Sequence, residues 1–388
     1  MEMHFFMQQR EFQLLLLCAH LQPDAASISD IVSKDLDWRL VFELARQHGV
    51  RPLLRLGLKT ACWDAIPKKV QIELDLFNRL NVQNSLLFTV ELLRLVDAFK
   101  QSGVKLAAFK GPILAESVYG LLSLREFCDL DILVHQTDVR RAEDILISFG
   151  YRADFPDRDF RSAFLSYQGQ YAFRNRETGM SVDLHWQLSG KGWAFPLQSE
   201  EVWSRLTRIT IFGRTIQTLA HDDLALFLAA HGTKERWRRL LWVSDFAALL
   251  HKYRDIDWLA VLERTQLSYS SRPLLLAILL ASDLLGAEAP LKLIDKARSD
   301  SSVRALAKDA ELRMLHPGTE TELGQFLSGL RTYDRLRHRL LPIVTLLTTR
   351  TVGDYQAIPL PKTLWGVYFL IRPFRLTAKA VEMIARRK

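Results

Sequence analysis

Cysteine is scarce in this sequence, and its few copies form no recognisable pattern. The three cysteines, Cys18, Cys62 and Cys128, are scattered over 388 residues and lack the paired spacing of a zinc site. A sparse, odd-numbered set also argues against a disulfide framework, and it suits the reducing cytoplasm. We therefore predict a cytoplasmic protein.

Long apolar segments are lacking as well. The longest candidate, residues 274–285, is shorter than the roughly 18 residues that a membrane-spanning helix needs, and it contains Asp283. The first residues have no basic start, and Glu11 and Gln13 interrupt the apolar run that follows. The sequence therefore predicts neither a transmembrane helix nor a signal peptide.

Acidic residues are outnumbered by basic ones. The chain has 52 Lys and Arg against 44 Asp and Glu, a formal net charge of +8. This balance favours anionic partners in general, but it does not distinguish a nucleotide from a nucleic acid or an acidic lipid.

The basic excess is most uneven at the end of the chain. Residues 363–388 carry six Lys and Arg against one acid, Glu382, and their start is aromatic, with Trp365 and Phe369. The favoured interpretation is a solvated helix end. The alternative is peripheral contact with an anionic membrane, because an amphipathic basic helix has the chemistry for it.

Hydrophobic periodicity divides the chain into three predicted regions. Residues 1–100 and 221–388 have apolar residues at spacings of three and four, which is typical of helices. Residues 101–220 contain short alternating runs separated by turns, which is typical of strands. We therefore predict an α+β fold, in which a small mixed sheet is flanked by an N-terminal helical region and a C-terminal helical region with a basic tail.

Two acids begin a strand in the middle of the chain. Residues 104–134 read as strand, turn, helix, loop and strand, and Asp129 and Asp131 open the second strand. Positions i and i+2 of a strand share a face, so the two carboxylates lie side by side. Like charges this close favour a divalent cation such as Mg²⁺ between them. The alternative is a solvated pair of acids at a strand edge.

A third acid occurs in a later strand. Residues 180–188 alternate so that Asp183 and His185 share one face, while Val182, Leu184 and Trp186 share the other. If this strand lies beside that of Asp129 and Asp131, three carboxylates converge, and Asp183 becomes a third metal ligand. For His185 three roles remain open: orienting an acceptor, acting as a base, or supporting an Asp by a hydrogen bond. The supporting role is favoured.

Phosphate-binding candidates precede the acids. Lys110-Gly111 breaks the first strand, and Pro112 suits the first turn of a helix. Gly111 would let the backbone approach phosphate, the helix N-terminus would offer amides, and Lys110 would add charge. The alternative is a purely structural turn. Arg125 is predicted to contact either phosphate or the acidic cluster, and the sequence does not choose.

These segments resemble a known family. FKGPILAESVYG, LREFCDLDILV and VDLHW are similar to a poorly characterised bacterial nucleotidyltransferase-like family of the polymerase-β-type superfamily, in which Lys-Gly replaces the usual Gly-Ser turn. The resemblance is dense over about residues 104–190 and looser in the flanking helical parts. Because Pro112 follows Gly111, the serine hydroxyl that usually contacts a phosphate is absent.

The resemblance implies an activity. It is the transfer of a nucleoside monophosphate from an NTP such as ATP to an acceptor, with two Mg²⁺ ions held by Asp129, Asp131 and Asp183. A lysine of the helical part reaches the triphosphate in related enzymes, and Lys234 is the candidate here. A solvated basic cluster of Lys234, Arg236, Arg238 and Arg239 is the favoured alternative, and His231 is expected to be a core histidine.

The acceptor is not predicted by the sequence. A small-molecule hydroxyl, a glycan intermediate, a peptide and a protein side chain all remain open. Nucleic acid is disfavoured, because no stacking platform for a single strand is recognisable. Two other classes remain as alternatives: a nucleotide- or partner-binding protein that has lost catalysis, and a membrane-peripheral accessory of polysaccharide assembly.

Overall fold

The computed structural model describes residues 10–154, 161, 165, 169–189, 195–316, 322–340, 344 and 352–385. Five helices precede the first strand: α1 (Arg10–Cys18), α2 (Ala25–Val32), α3 (Trp38–His48), α4 (Arg51–Ala61) and α5 (Lys68–Gln101). Local signals fix several of their ends. The Asp37 carboxylate accepts hydrogen bonds from the first backbone amides of α3, and Gly49 ends that helix with a φ of 69°.

The described strands form one seven-stranded sheet. They are β1 (Ala107–Ala108), β2 (Asp129–Leu133), β3 (Tyr151–Ala153), β4 (Gln170–Asn175), β5 (Ser181–His185), β6 (Thr207–Ile211) and β7 (Arg214–Thr218). Their order is β3-β4-β5-β2-β1-β7-β6. Strand β2 is parallel to β5, β1 is parallel to β7, and the other pairs are antiparallel. The predicted α+β fold with a mixed sheet is confirmed.

Helices connect several of the strands and continue after the sheet in the described part of the chain. Within the sheet region these are α6 (Gly111–Leu114), which a π-helical turn at Ala115–Tyr119 extends, α7 (Val139–Ser148) and α8 (Ser199–Arg205). Later helices are α9 (His221–Lys234), α10 (Leu240–Lys252), α11 (Trp258–Leu267), α12 (Ser271–Leu285), α13 (Leu291–Ser299), α14 (Ser301–Leu315), α15 (Glu322–Arg331), α16 (Val352–Ala357) and α17 (Tyr368–Ala385).

Two hydrophobic clusters lie on opposite faces of the sheet. Ala107 and Leu133 belong to the larger cluster, whereas their strand neighbours Ala108 and Ile132 belong to the smaller one. Since alternate residues of a strand point to opposite faces, the two clusters cover different faces. The larger cluster combines residues from helices before β1 with residues from helices after β7. One hydrophobic core thus joins the two outer helical regions. The division of the chain into three regions near residues 100 and 220 stays a prediction.

The individual elements follow the sequence patterns closely, with one exception. Helix α5 lies in the N-terminal region that was predicted to be helical, and a hairpin at Phe212-Gly213 joins β6 to β7 in the region that was predicted to contain strands. The strand predicted over residues 104–109 is much shorter, since only Ala107–Ala108 pair with neighbours. Lys110 and the turn after it end the strand.

Two of the basic residues in the predicted C-terminal tail form ion pairs within the chain. Arg372 and Arg375 both bind the carboxylate of Asp354 on α16, so their charges are neutralised within the chain. Residues 386–388, which are the last three basic residues of the predicted tail, lie outside the described residues. Among the helices that the structure describes, none has the combined length and apolar character of a membrane span.

Candidate functional site

The site is built where β2 lies parallel to β5. In this register Asp131 is directly opposite Asp183, and Leu133 is opposite His185. Val182, Leu184 and Trp186 belong to the smaller cluster on the other face, as the alternation predicted. The sheet therefore brings together the two acidic strands that are about 50 residues apart in sequence.

Asp131 is at the centre of the contacts. Its Oδ1 accepts hydrogen bonds from Lys110 Nζ at 2.9 Å and from His185 Nε2 at 3.1 Å. Its Oδ2 is buried and has no hydrogen-bond partner among the described residues. The contact with His185 is one of the three roles that the sequence left open. Burying a carboxylate oxygen without a hydrogen-bond partner costs free energy, so a cation or a hydrogen-bond donor would be stabilised at Oδ2.

The other two acids flank Asp131. Asp183 Oδ2 accepts a hydrogen bond from Gln170 Nε2 at 3.1 Å, a contact that the sequence analysis did not anticipate. Asp129 shares a face with Asp131 on β2 and is half-buried. One ligand atom from each of Asp131, Asp183 and His185 lies within 4.8 Å of the others, and Asp129 is not part of that group.

The carboxyl groups of the site have opposite pKa shifts. Burial opposes ionisation of Asp131, but the charge of Lys110 and the contact with His185 hold its pKa well below the ordinary value. Burial and the charge of Asp131 raise the pKa of Asp129 and that of Asp183. Such a mutual effect is expected for acids that share a site without a bound cation, and a divalent ion would reverse it.

The Lys110-Gly111 turn packs directly on β2. Gly111 has a φ of 51°, a left-handed conformation that favours glycine. A Cβ at this position would lie 3.0 Å from the backbone oxygen of Asp129. The glycine therefore allows the turn to approach the strand of the acids, and its close approach to a phosphate remains a prediction.

Arg125 contacts neither the acidic cluster nor an exposed surface. Its Nε and Nη2 donate to the two carboxylate oxygens of Asp245 on α10, at 2.8 and 2.9 Å. The hydroxyl of Tyr119 also donates to Asp245, at 2.7 Å. All three residues are buried. Arg125 therefore forms its ion pair with Asp245, its charge opposes the rise in the pKa of Asp129, and phosphate binding by Arg125 stays a prediction.

The turn between α9 and α10 brings positive charge close to the site. Lys234 at the end of α9 and Arg239 before α10 are both exposed. The charge of Arg239 acts on the Cys128 thiol, which adjoins Asp129. Trp237 fixes the turn: its indole is buried, and a Cβ at Gly232 would lie 2.5 Å from it. Of the predicted basic cluster, Arg236 is half-buried and Arg238 pairs with Glu235, and a contact of Lys234 with a triphosphate stays a prediction.

His231 is a site neighbour that the sequence analysis missed. Its ring contacts Phe227 and Trp242, as expected for a core histidine. Burial, together with the charges of Lys110 and Lys234, holds the pKa of His231 well below the ordinary value. The residue therefore lies within electrostatic reach of the site. The apolar face of α9 concealed this, because helix periodicity does not show which element a face contacts.

A comparison with sequence models of protein families identifies the family of this chain. The sequence model of a family described as uncharacterised nucleotidyltransferase matches residues 34–286. The chain belongs to this nucleotidyltransferase family. The match spans α3 to α12 with all seven described strands, so it contains every residue of the site. A comparison with curated proteins gave no match.

In this nucleotidyltransferase the side chains of the site fit a divalent cation. Asp131, Asp183 and His185 form a group that can hold a metal ion. The orphaned Oδ2 of Asp131 is a ready ligand atom. Carboxylate oxygens suit Mg²⁺, whereas an imidazole nitrogen also suits ions such as Mn²⁺ and Zn²⁺.

Proposed function

We propose that this chain transfers a nucleoside monophosphate from an NTP to an acceptor nucleophile and uses Mg²⁺. The observation that carries the proposal is the parallel register of β2 and β5, which places Asp131 opposite Asp183 with a carboxylate oxygen left unpartnered. Family membership supports nucleotidyl transfer in general. Membership of the polymerase-β-type superfamily, which the motif order suggests, is part of the proposal.

The reaction is an in-line displacement at phosphorus. The acceptor oxygen forms a bond to the α-phosphorus, the bond from that phosphorus to the α–β bridging oxygen breaks, and pyrophosphate leaves with the bridging oxygen. The acceptor's proton passes to solvent or to a base. Bound Mg²⁺, held by Asp129, Asp131 and Asp183, would neutralise phosphate charge and activate the attacking oxygen.

The chain's own residues have distinct parts in this proposal. Lys110 and the turn at Gly111 would bind phosphate, and Lys234 with Arg239 would attract the triphosphate from the facing turn. His185 would position Asp131 through its Nε2 hydrogen bond at 3.1 Å. Arg125 would act as a positioning residue, because its ion pair with Asp245 anchors the loop that leads to Asp129.

The test is a calorimetric titration of ATP, GTP, CTP and UTP, each with Mg²⁺, into the full chain. We expect Mg²⁺-dependent binding of at least one nucleotide. Asp183→Asn should abolish the Mg²⁺ dependence, because it removes a ligand without touching Lys110. The matched control is Glu177→Gln, which neutralises an exposed acid in the turn between β4 and β5 and should bind like wild type.

The possible outcomes separate the interpretations. Binding followed by pyrophosphate release with some acceptor supports the proposal. Mg²⁺-dependent binding without pyrophosphate release over a broad acceptor screen would instead support a nucleotide-binding protein that has lost catalysis. A folded protein that binds no NTP, or whose binding survives Asp183→Asn unchanged, would contradict the site assigned here.

A membrane-peripheral role is the second candidate, and one observation favours it. Leu370 and Phe374 on α17 are 71% and 78% exposed, and exposed apolar side chains on a helix can enter a lipid surface. The ion pairs of Arg372 and Arg375 with Asp354 count against it, since they neutralise two cations. Flotation with anionic liposomes, compared between wild type and Phe374→Glu, tests this role. Equal flotation of the two proteins would exclude α17 as the contact.

A further inference from the structure

The longest helix of the protein exposes an apolar stripe. Helix α5 has 34 residues, and one face is buried against the sheet and neighbouring helices. On the other face Ile72, Leu76, Leu80, Leu87 and Val90 are 52–61% exposed. Together with Gln83 they are spaced by four, four, three, four and three residues. Large apolar side chains exposed along one helix face usually mark an interaction surface.

The spacing indicates what kind of surface covers the stripe. Steps of three and four residues form the seam along which two helices pack side by side. The stripe from residue 72 to residue 90 is about 27 Å long, at 1.5 Å per residue. A second helix of equal length would therefore complement it better than a compact side chain or a loop.

Charges at the two ends indicate that the partner is the same helix in the opposite direction. Glu73 is exposed near the start of the stripe, and the Arg94 side chain is 62% exposed near its end. When two copies pack antiparallel about a two-fold axis near Gln83, Glu73 of each lies opposite Arg94 of the other, and Leu80 lies opposite Leu87. A parallel pairing would instead place Glu73 against Glu73 and Arg94 against Arg94. Like charges at both ends disfavour that arrangement.

We propose that the chain forms a two-fold symmetric homodimer through antiparallel packing of the α5 helices. This interface is isologous, because the same stripe of both copies forms it about the two-fold axis. It leaves the catalytic site open, since the buried face of α5 holds the loop before Asp129. Asn81 Nδ2 donates to the backbone oxygen of Ser123 at 2.8 Å, and Asn84 Nδ2 donates to that of Phe127 at 3.2 Å. The proposal does not depend on the proposed function.

Sedimentation of the full chain over a concentration series tests the dimer. Wild type should be dimeric at micromolar concentrations, and Leu80→Glu should raise the dissociation constant at least 100-fold. The matched control is Leu267→Glu on α11, which changes a leucine that is 75% exposed outside the stripe and should leave the dimer intact. A monomeric wild type, or a Leu80→Glu protein that dimerises as tightly as wild type, would overturn the proposal.

Charge reversal tests the direction of the helices. Glu73→Arg and Arg94→Glu should each weaken the dimer about tenfold, and the double variant should restore it to within about threefold. Because Arg94 also pairs with Glu91 in its own chain, thermal melting must show that each variant is folded. Failure of the double variant to recover affinity would overturn the antiparallel register.

Cross-linking gives an independent test of the axis. In a Cys128→Ser background, which removes the exposed cysteine, Gln83→Cys should form an intermolecular disulfide under mild oxidation. Ile72→Cys should not, because the two copies of residue 72 would lie about 35 Å apart along the antiparallel helices. Equal cross-linking of both variants would indicate parallel helices and overturn the proposed geometry.

Discussion

Lys110 and Asp131 form a buried ion pair, with Nζ 2.9 Å from Oδ1, and Asp131 belongs to the group of side chains that could hold a metal ion. The exposed fractions of the two side chains are 13% and 1%. The ammonium therefore neutralises Asp131 inside the protein, as the lowered pKa of that carboxyl indicates. A buried charge that loses its partner is strongly destabilising, whereas loss of both is tolerated better.

A double-mutant cycle measures this pair. Asp131→Asn and Lys110→Met should each lower the free energy of unfolding by about 3 kcal/mol, because each leaves the other charge buried and uncompensated. The double variant should lose less than the sum of the two single changes. Urea denaturation of the four proteins without divalent ions gives the coupling energy, and additive effects within about 0.5 kcal/mol would contradict the buried pair.

The side chain of Lys110 should also lower the affinity of the site for a divalent cation when no nucleotide is bound. Its Nζ occupies one oxygen of Asp131, so an incoming cation meets a like charge a few ångströms away. Lys110→Met should therefore bind Mn²⁺ at least about tenfold more tightly than wild type, as measured by calorimetry or by electron paramagnetic resonance. Lys234→Met is the control, since that lysine is exposed at the end of α9. Weaker Mn²⁺ binding by Lys110→Met would show that Lys110 does not compete for this site.

Gly111 and Gly120 allow conformational strain to be separated from steric contact. Both have positive φ angles, 51° and 72°, but only at Gly111 would a Cβ approach the backbone oxygen of Asp129, at 3.0 Å. Gly120→Ala should cost about 1 kcal/mol of stability from strain alone, and Gly111→Ala should cost about 1 kcal/mol more. Gly111→Ala should also weaken Mg²⁺-nucleotide binding, because β2 must shift. Equal stability and equal binding of the two variants would contradict this contact.

The buried pair of Arg125 with Asp245 should stabilise the protein strongly, although neither residue is a predicted metal ligand. Asp245→Asn removes the negative charge and replaces one of the two carboxylate oxygens that accept Arg125 hydrogen bonds at a buried position, and we expect a loss of about 3–5 kcal/mol. Asp283→Asn is the comparison, because Asp283 pairs with Arg298 at the surface and should cost less than about 1 kcal/mol. Denaturation curves for the two variants give the difference, and similar small losses would mean that the buried pair is dispensable.

The acids of the site could be predicted because their arrangement is local. Alternation along β2 and β5 places Asp129 with Asp131, and Asp183 with His185, on single faces. The mixed sheet followed from the same short-range patterns, and only β1 was shorter than predicted. These features depend on neighbours two to four residues apart, which a sequence shows directly.

The contacts that escaped prediction are long-range. Arg125 meets Asp245 across 120 residues, and Gln170 reaches Asp183 only because β4 pairs with β5 in one particular register. The partner of a buried charge depends on which helix covers the sheet, and periodicity identifies a buried face without identifying its neighbour. His231 illustrates the same limit, since its helix pattern indicated a core residue and not the site beside it.

His48 should make the stability of the protein depend on pH. The residue ends α3 and is 3% exposed, and its Nδ1 accepts a hydrogen bond from the backbone amide of Leu240 at 3.2 Å. Burial lowers the pKa of His48 to about 4. In the unfolded chain the pKa is about 6.5, so below that pH the unfolded state binds a proton that the folded state excludes. The stabilising effect is complete above pH about 6.5 and is lost as the pH falls towards 4.

The size of this effect follows from the two pKa values. A difference of about 2.5 pH units corresponds to about 3 kcal/mol between pH 7.5 and 4. His48→Gln keeps an acceptor for the Leu240 amide but cannot be protonated, so its stability should fall less steeply over this range. Other titrating groups affect both proteins equally and cancel in the comparison. Urea denaturation at several pH values measures the two slopes, with His251→Gln, an exposed position at the end of α10, as the control. Parallel slopes for wild type and His48→Gln would show that His48 is not excluded from protonation, and that the junction of α3 with α10 is open to water.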